Sequence, residues 1–238
     1  NKAVYGWTPS DTWVRENIQS HSPFGKCYPD KEWVFEGDSP SFLYVYANGL
    51  NVPEEPTFGG WGGRFSTYKA KNVRGMDFIT RSGNNESQYD PYCMYVSAAE
   101  GGEAIKRWQQ EIWNDFAARM AWTTTSEYSA VNHHPTAIVD GHDDMNCIYK
   151  KVKAVRDMEF DASASYDPDG NPLDFRWEIY AEPSTYKGKV NMENGDSPKC
   201  RIHIPAEASG KSLHVILSLT DRGTPALTAY KRIVVQVL

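Results

Sequence analysis

The sequence has no apolar run approaching the ~18 residues of a membrane-crossing helix. Basic residues are outnumbered: 25 Lys and Arg stand against 31 Asp and Glu, a net charge of −6 with a pI near 5.5. That balance argues against a nucleic-acid partner, whose phosphates need a cationic surface. Only four cysteines occur, Cys27, Cys93, Cys147 and Cys200, and no two have C-x-x-C spacing. Zinc-ribbon and thioredoxin-type readings therefore lose their footing. A Cys147–Cys200 bridge, a Cys27–Cys93 bridge and free buried thiols all stay open. No Ser-His-Asp order, phosphate-binding loop or dinucleotide fingerprint is present. Residues 1–10 have neither a basic start nor an apolar stretch, and the first residue is not Met. The expectation is a mature product or an excised piece of a longer protein.

Aromatic residues, by contrast, are plentiful, at 13% with eight Trp and fourteen Tyr. Rings are core material first, but sugar-handling proteins also stack them on sugar faces. The length of 238 residues suits one large domain or two smaller ones. Residues 40–49 read as a buried helix or strand closed by Asn48-Gly49. Residues 53–63 then hold two Pro and four Gly, ending in Gly59-Gly60-Trp61-Gly62-Gly63. Such density signals special backbone angles or close backbone approach. Over Gly102–Trp122 the apolar residues Ile105, Trp108, Ile112, Phe116 and Met120 recur at helical spacing, which predicts one core-facing helix.

After about residue 122 the period changes to that of strands. Short β-type runs cover 136–139, 151–160, 173–180, 199–204, 212–220 and 228–237, separated by turns such as Asp167-Pro168-Asp169-Gly170. Strands at this spacing with no helix between them predict an all-β sandwich, with Trp177 as its core plug. The boundary falls near residue 131, dividing 1–131 from 132–238. His133 and His134 read as linker surface, and Lys231 and Arg232 as part of an exposed charged face. The Asp residues of the 161–169 loop offer calcium ligands, but turn capping accounts for them without a metal.

The string from Phe160 to Trp177 resembles PKD-type immunoglobulin-like modules of extracellular carbohydrate-active proteins. In the first part, His21-Ser22-Pro23-Phe24-Gly25, the run Glu36-Gly37-Asp38-Ser39-Pro40, Asn48-Gly49-Leu50, Gly59–Arg64 and Trp113–Met120 follow in order. Together with the β module they resemble a nucleoside-hydrolase-like family that includes proteins described as cellulose-binding. The resemblance covers nearly the whole chain but only the family's C-terminal half. It implies an α+β chain: the C-terminal portion of an α/β nucleoside-hydrolase-like domain, then an immunoglobulin-like sandwich.

The resemblance also implies calcium, held in related enzymes by an N-terminal Asp cluster and one late Asp that Asp38 matches. The metal orders a water that attacks the anomeric carbon. Asp38 can equally cap the helix that begins beside Pro40. Residues 1–37 contain no Asp-rich loop, so calcium is expected only together with a missing N-terminal segment of the same protein. Gly37 stands where purine-handling relatives carry a His. Trp61 and Arg64 are candidates for one wall of a sugar site, by ring stacking and by guanidinium bonds to hydroxyls; the alternative is that Trp61 packs inward. His21 is a further candidate substrate residue, or a satisfied loop histidine. Two functions remain open. One is part of a secreted or periplasmic protein that cleaves glycosidic bonds, N-ribosyl bonds among them, with this piece inactive alone. The other is a non-catalytic cellulose- or polysaccharide-binding protein whose sandwich is a binding or structural module. The expected ligand is a carbohydrate or a nucleoside-like molecule.

Overall fold

The computed structural model describes residues 9–30, 39–69 and 93–238. The first part opens with helix α1 (Asp11–Val14), which runs into a π-helical turn, Arg15–Gln19, and then α2 (Ser22–Gly25). The Ser10 side chain caps α1 by accepting the Trp13 N–H at 3.1 Å. Helix α3 (Ser39–Val45) and an antiparallel pair, β1 (Phe65–Lys69) with β2 (Cys93–Ser97), come next. The helix expected over 102–122 is two: α4 (Glu103–Lys106) and α5 (Gln109–Trp122). Trp108 breaks it with φ −109° and ψ 9°, and its ring is buried. Val14 and Ile18 pack on Met120 of α5, with Trp13, Tyr28 and Phe116 around them.

The rest is a sandwich. One sheet orders β3 (Ile148–Val152), β9 (Thr228–Val237), β8 (Ser212–Asp221) and β5 (Leu173–Ile179); the other orders β4 (Arg156–Asp161), β7 (Lys199–Ile204) and β6 (Asn191–Glu193). The chain is thus α+β, as expected. All strand pairs are antiparallel except β3 with β9. The run expected over 151–160 splits because Val155 adopts φ 56° between β3 and β4. Residues 136–139 give only isolated bridges, Thr136 to Tyr166 and Val139 to His142. Trp177 plugs the core as foreseen: it stacks on Phe160 at 5.6 Å and donates its Nε1–H to the Ser197 carbonyl. The Asp167–Gly170 turn caps itself, Asp167 Oδ1 accepting the Asp169 and Asn171 N–H groups, with Gly170 at φ 79°.

Strands β8 and β9 are buried on both faces. Leu213, Val215, Leu217, Ile233 and Val235 face the sandwich core. The alternate positions Ile216 and Tyr230 join Leu50, Trp61, Ile105, Trp108 and Ile112 in a second core shared with the first part. Backbone bonds seal this junction: the Tyr230 and Arg232 N–H groups donate to the Asn48 and Gly49 carbonyls at 3.1 and 3.0 Å. They do so just ahead of Ile233, where β3 begins to pair with β9.

Arg232 and Lys231 are therefore not surface residues, and both are 0% exposed. The Arg232 guanidinium donates to the carbonyls of Leu50 (2.7 Å), Phe58 (3.2 Å) and Gly59 (2.6 Å). Lys231 reaches the carbonyl and carboxylate of Asp144. Alternation along a strand shows which residues share a face, but not that a second body covers that face. Cys27, Cys147 and Cys200 are free thiols, which removes a Cys147–Cys200 bridge; the Cys93 side chain lies outside the described residues.

Candidate functional site

The glycine loop closes on itself, Gly60 and Gly63 exchanging backbone hydrogen bonds at 3.1 and 2.9 Å. Gly59 and Gly63 take φ 75° and 95°, open to glycine at little cost. This tight turn drives Trp61 inward. Its ring is 1% exposed, stacks on Tyr46 at 5.6 Å and donates Nε1–H to the Tyr230 hydroxyl. Trp61 is thus a packing residue of the junction, which corrects the expectation of a sugar-stacking wall. A ring flanked by glycines reads the same whether it turns out to solvent or into a core.

Arg64, at the end of the same loop, leaves the core and grips Glu100 through two bonds of 2.6 and 2.7 Å. Glu100 holds one rim of a cleft of about 380 Å³ between α4–α5 and the β5–β8 face. Charged side chains line it, among them Glu100, Glu103, Arg107, Glu111, Arg176 and Glu178. Most of the charges are matched. Arg107 pairs with Glu178 at 3.1 Å and Glu182 at 3.3 Å, its guanidinium 4.2 Å from the Tyr180 ring centre. Arg176 adds to Glu178, and Lys106 meets Glu103.

Glu111, in the first turn of α5, makes no hydrogen bond or ion pair with another described side chain. Burial pushes its carboxyl up from the usual value, and Glu178 adds to this against the pull of Arg176 and Arg107. The opposite holds for Glu100, which the bonds from Arg64 keep below the usual carboxylate range. A half-buried carboxyl whose proton affinity is raised in a cleft is a candidate functional group. Trp108 lines the same cleft, and its Nε1–H is buried with no hydrogen-bond partner among the described residues. These residues carry no local motif. Glu111 and Arg107 sit on a helix read for its apolar stripe, and Glu178 is 67 positions away on β5; only the docking of the two parts unites them.

The other candidates are scattered. His21 precedes α2 and caps nothing with its side chain; among the described residues no hydrogen bond or ion pair joins it to Trp61, Arg64 or the cleft. Asp38 lies outside the described residues. Among the described residues no group of three His, Cys, Asp or Glu side chains is placed to hold a metal ion. Calcium therefore has no fitting donor set among the described residues.

The linker histidines are not free surface. His134 Nε2 lies 3.0 Å from Asp115 Oδ1. Burial would raise the Asp115 carboxyl, but bonds from His134 and Arg119 hold it below its usual value. Arg119 also bonds the Tyr46 hydroxyl. The stretch joining the two parts is thus pinned to α5.

A helical part that ends in a charged cleft, docked on the outer face of an immunoglobulin-like sandwich, defines a two-module architecture. Residues 5–65 match the model for the nucleoside hydrolase-like domain of cellulose-binding Sde182, and residues 157–237 match that for the C-terminal domain of cellulose-binding protein Sde0182. Each of these models matches part of the chain, so the chain is similar, part by part, to the two domain types described for cellulose-binding Sde182. A solved nucleoside hydrolase-related protein from Saccharophagus degradans, described as associated with carbohydrate metabolism, is 41% identical over 99% of this chain, with a TM-score of 0.86. The chain spans 56% of that protein's length. The PKD domain of the KIAA 1837 protein is also similar, at 16% identity over 42% of this chain and 85% of its own, with a TM-score of 0.30. No curated protein matches the chain significantly. No described helix is long and apolar enough to cross a membrane.

Proposed function

We infer that the chain is the carbohydrate-recognising portion of a nucleoside-hydrolase-related protein, and that the cleft around Glu111 holds a sugar chain of the β-glucan type. The carrying observation is Glu111 itself: a half-buried carboxyl without an ionic partner among described side chains, facing a rim of fixed carboxylates and guanidiniums. Pairs of sugar hydroxyls donate to carboxylates and accept from guanidinium forks. The ion pairs hold these groups in place before a ligand arrives, which limits the ordering cost of binding. The cellulose-binding description of both matched families supports the ligand class. A polysaccharide ligand is met outside the cytoplasm, which fits a secreted or periplasmic protein.

Calorimetric titration with cellohexaose tests the reading. Wild type is expected to bind, and Glu111→Gln, which keeps shape but loses the charge, to bind about tenfold more weakly, the value of one charge-assisted hydrogen bond. Absence of binding by wild type, to cellohexaose and to insoluble cellulose alike, would overturn it.

Cleavage of a glycosidic bond belongs, on this reading, to the whole protein. Asp38 would join carboxylates of an N-terminal segment around calcium. Calcium binding by the longer protein but not by this chain is the expected calorimetric result. Equal binding by both would remove the need for that segment.

A further inference from the structure

A second cleft, of about 580 Å³ and open on one side, lies where the linker meets the sandwich turns. Its rim is Tyr128, in a single 3-10 turn, Tyr128–Ala130. The ring is 58% exposed, yet one of its faces is covered. His133 lies parallel beneath it, with ring centres 3.6 Å apart and planes 3° apart, and Trp122 stacks behind His133 at 5.7 Å and 16°. Asp169 fixes the middle ring, taking the His133 N–H at 2.7 Å and lying 3.1 Å from Nδ1. Trp122 is tethered in turn, its Nε1–H donating to the Asn132 carbonyl at 2.8 Å.

The result is an offset stack of three rings whose outermost member, Tyr128, is largely exposed. An isolated exposed Tyr means little. Here α5, the linker and the 167–170 turn all contribute to holding one ring still. Beside it the cleft offers planar polar groups: the Asp169 carboxylate, the Asn171 amide and the guanidinium of Arg222, which Asp174 orients by bonds of 3.0 and 2.7 Å. Tyr166, 54% exposed, stands near enough to act electrostatically on the Tyr128 phenol.

We propose that Tyr128 is the platform of a second glycan-binding surface, taking a neutral pyranose ring on its free face while Asp169, Asn171 and Arg222 meet the hydroxyls. Neutrality follows from the surroundings. Asp167 and Asp169 flank the phenol and repel phosphorylated or uronic-acid ligands. This cleft is also more open to solvent than the Glu111 cleft. The proposal rests on the carbohydrate reading above, and adds where an extended chain is gripped.

Retention on insoluble cellulose, with Tyr128→Ala, Tyr128→Phe and Glu111→Gln compared with wild type at equal thermal midpoints, tests it. Tyr128→Ala is expected to lose at least tenfold in apparent affinity for the solid, Tyr128→Phe to keep most of it, and carboxymethylcellulose to compete poorly. If wild type and Tyr128→Ala are retained alike, this surface is refuted while the Glu111 cleft stands. If Tyr128→Ala and Tyr128→Phe lose affinity equally, the ring is not a stacking platform and the proposal fails. If wild type is not retained and does not bind cellohexaose, the carbohydrate reading itself falls.

Discussion

Arg232 and His214 form a fully buried polar contact. A guanidinium removed from water needs its donors satisfied, and here backbone carbonyls do this where a carboxylate is usual. Burial brings its pKa down to about 10. Replacing Arg232 with Leu strands the carbonyls of Leu50, Phe58 and Gly59 and should cost about 3–5 kcal/mol in urea unfolding. His214, 3.1 Å away through Nδ1, is pushed down to about 3, by burial first and then by Arg232. The unfolded chain takes up a proton near pH 6.5 that the folded ring refuses. His214 thus destabilises the fold as pH falls from 6.5 toward 3, by about 2 kcal/mol at pH 5. Urea midpoints at pH 7 and pH 5 check this, and His214→Gln should flatten the difference. Glu111 works the other way: its raised carboxyl is a cost at neutral pH that protonation relieves. Glu111→Gln should leave the fold as stable or more stable at pH 7 while weakening sugar binding. A purely structural carboxylate would lose stability instead.

At the scale of elements, β9 carries the most. One face completes the sandwich core, the other presents Tyr230 and Arg232 to the first part, and one edge accepts Asn48–Gly49 before β3 takes over. Gly49 fits there because it adopts φ 82° and because a Cβ would stand 2.0 Å from the Tyr230 carbonyl oxygen. Gly49→Ala is therefore expected to cost about 2–4 kcal/mol, strain and clash together, and to lower the thermal midpoint. Such contacts set the limit of what could be read in advance. The sandwich was legible because alternation, the Asp167–Gly170 turn and Trp177 are local signals. The two-faced burial of β8 and β9 was not, since Arg232 looks like a surface residue until the first part covers it, and Lys231 until the Asp144 segment of the sandwich does. Nor was the cleft: Arg107 and Glu111 lie beside α4 and on α5, Glu178 lies on β5, and no spacing rule joins them. The Gly59–Arg64 loop was half legible. Its turn was foreseen, but the direction of the Trp61 ring depends on Asn51 and Tyr230, which lie outside the loop.

At the scale of the whole molecule, the sandwich and the helical part act as one unit because they share a core. Tyr180, Ile216 and Tyr230 from one side meet Leu50, Trp61, Trp108 and Ile112 from the other. Ile216→Ala, at the centre of this junction, should cost about 2–5 kcal/mol and shift the unfolding of both parts together. Separate transitions in the variant would show that the parts fold independently. The junction also makes the site, since the walls of the Glu111 cleft come from both parts. The most direct measurement is a crystal structure of the chain grown with saturating cellohexaose. Glucose units with hydroxyls within about 3 Å of the Glu111 carboxyl and the Arg107 guanidinium are the predicted result. A cleft free of sugar, with the oligosaccharide bound elsewhere or not at all, would contradict the account.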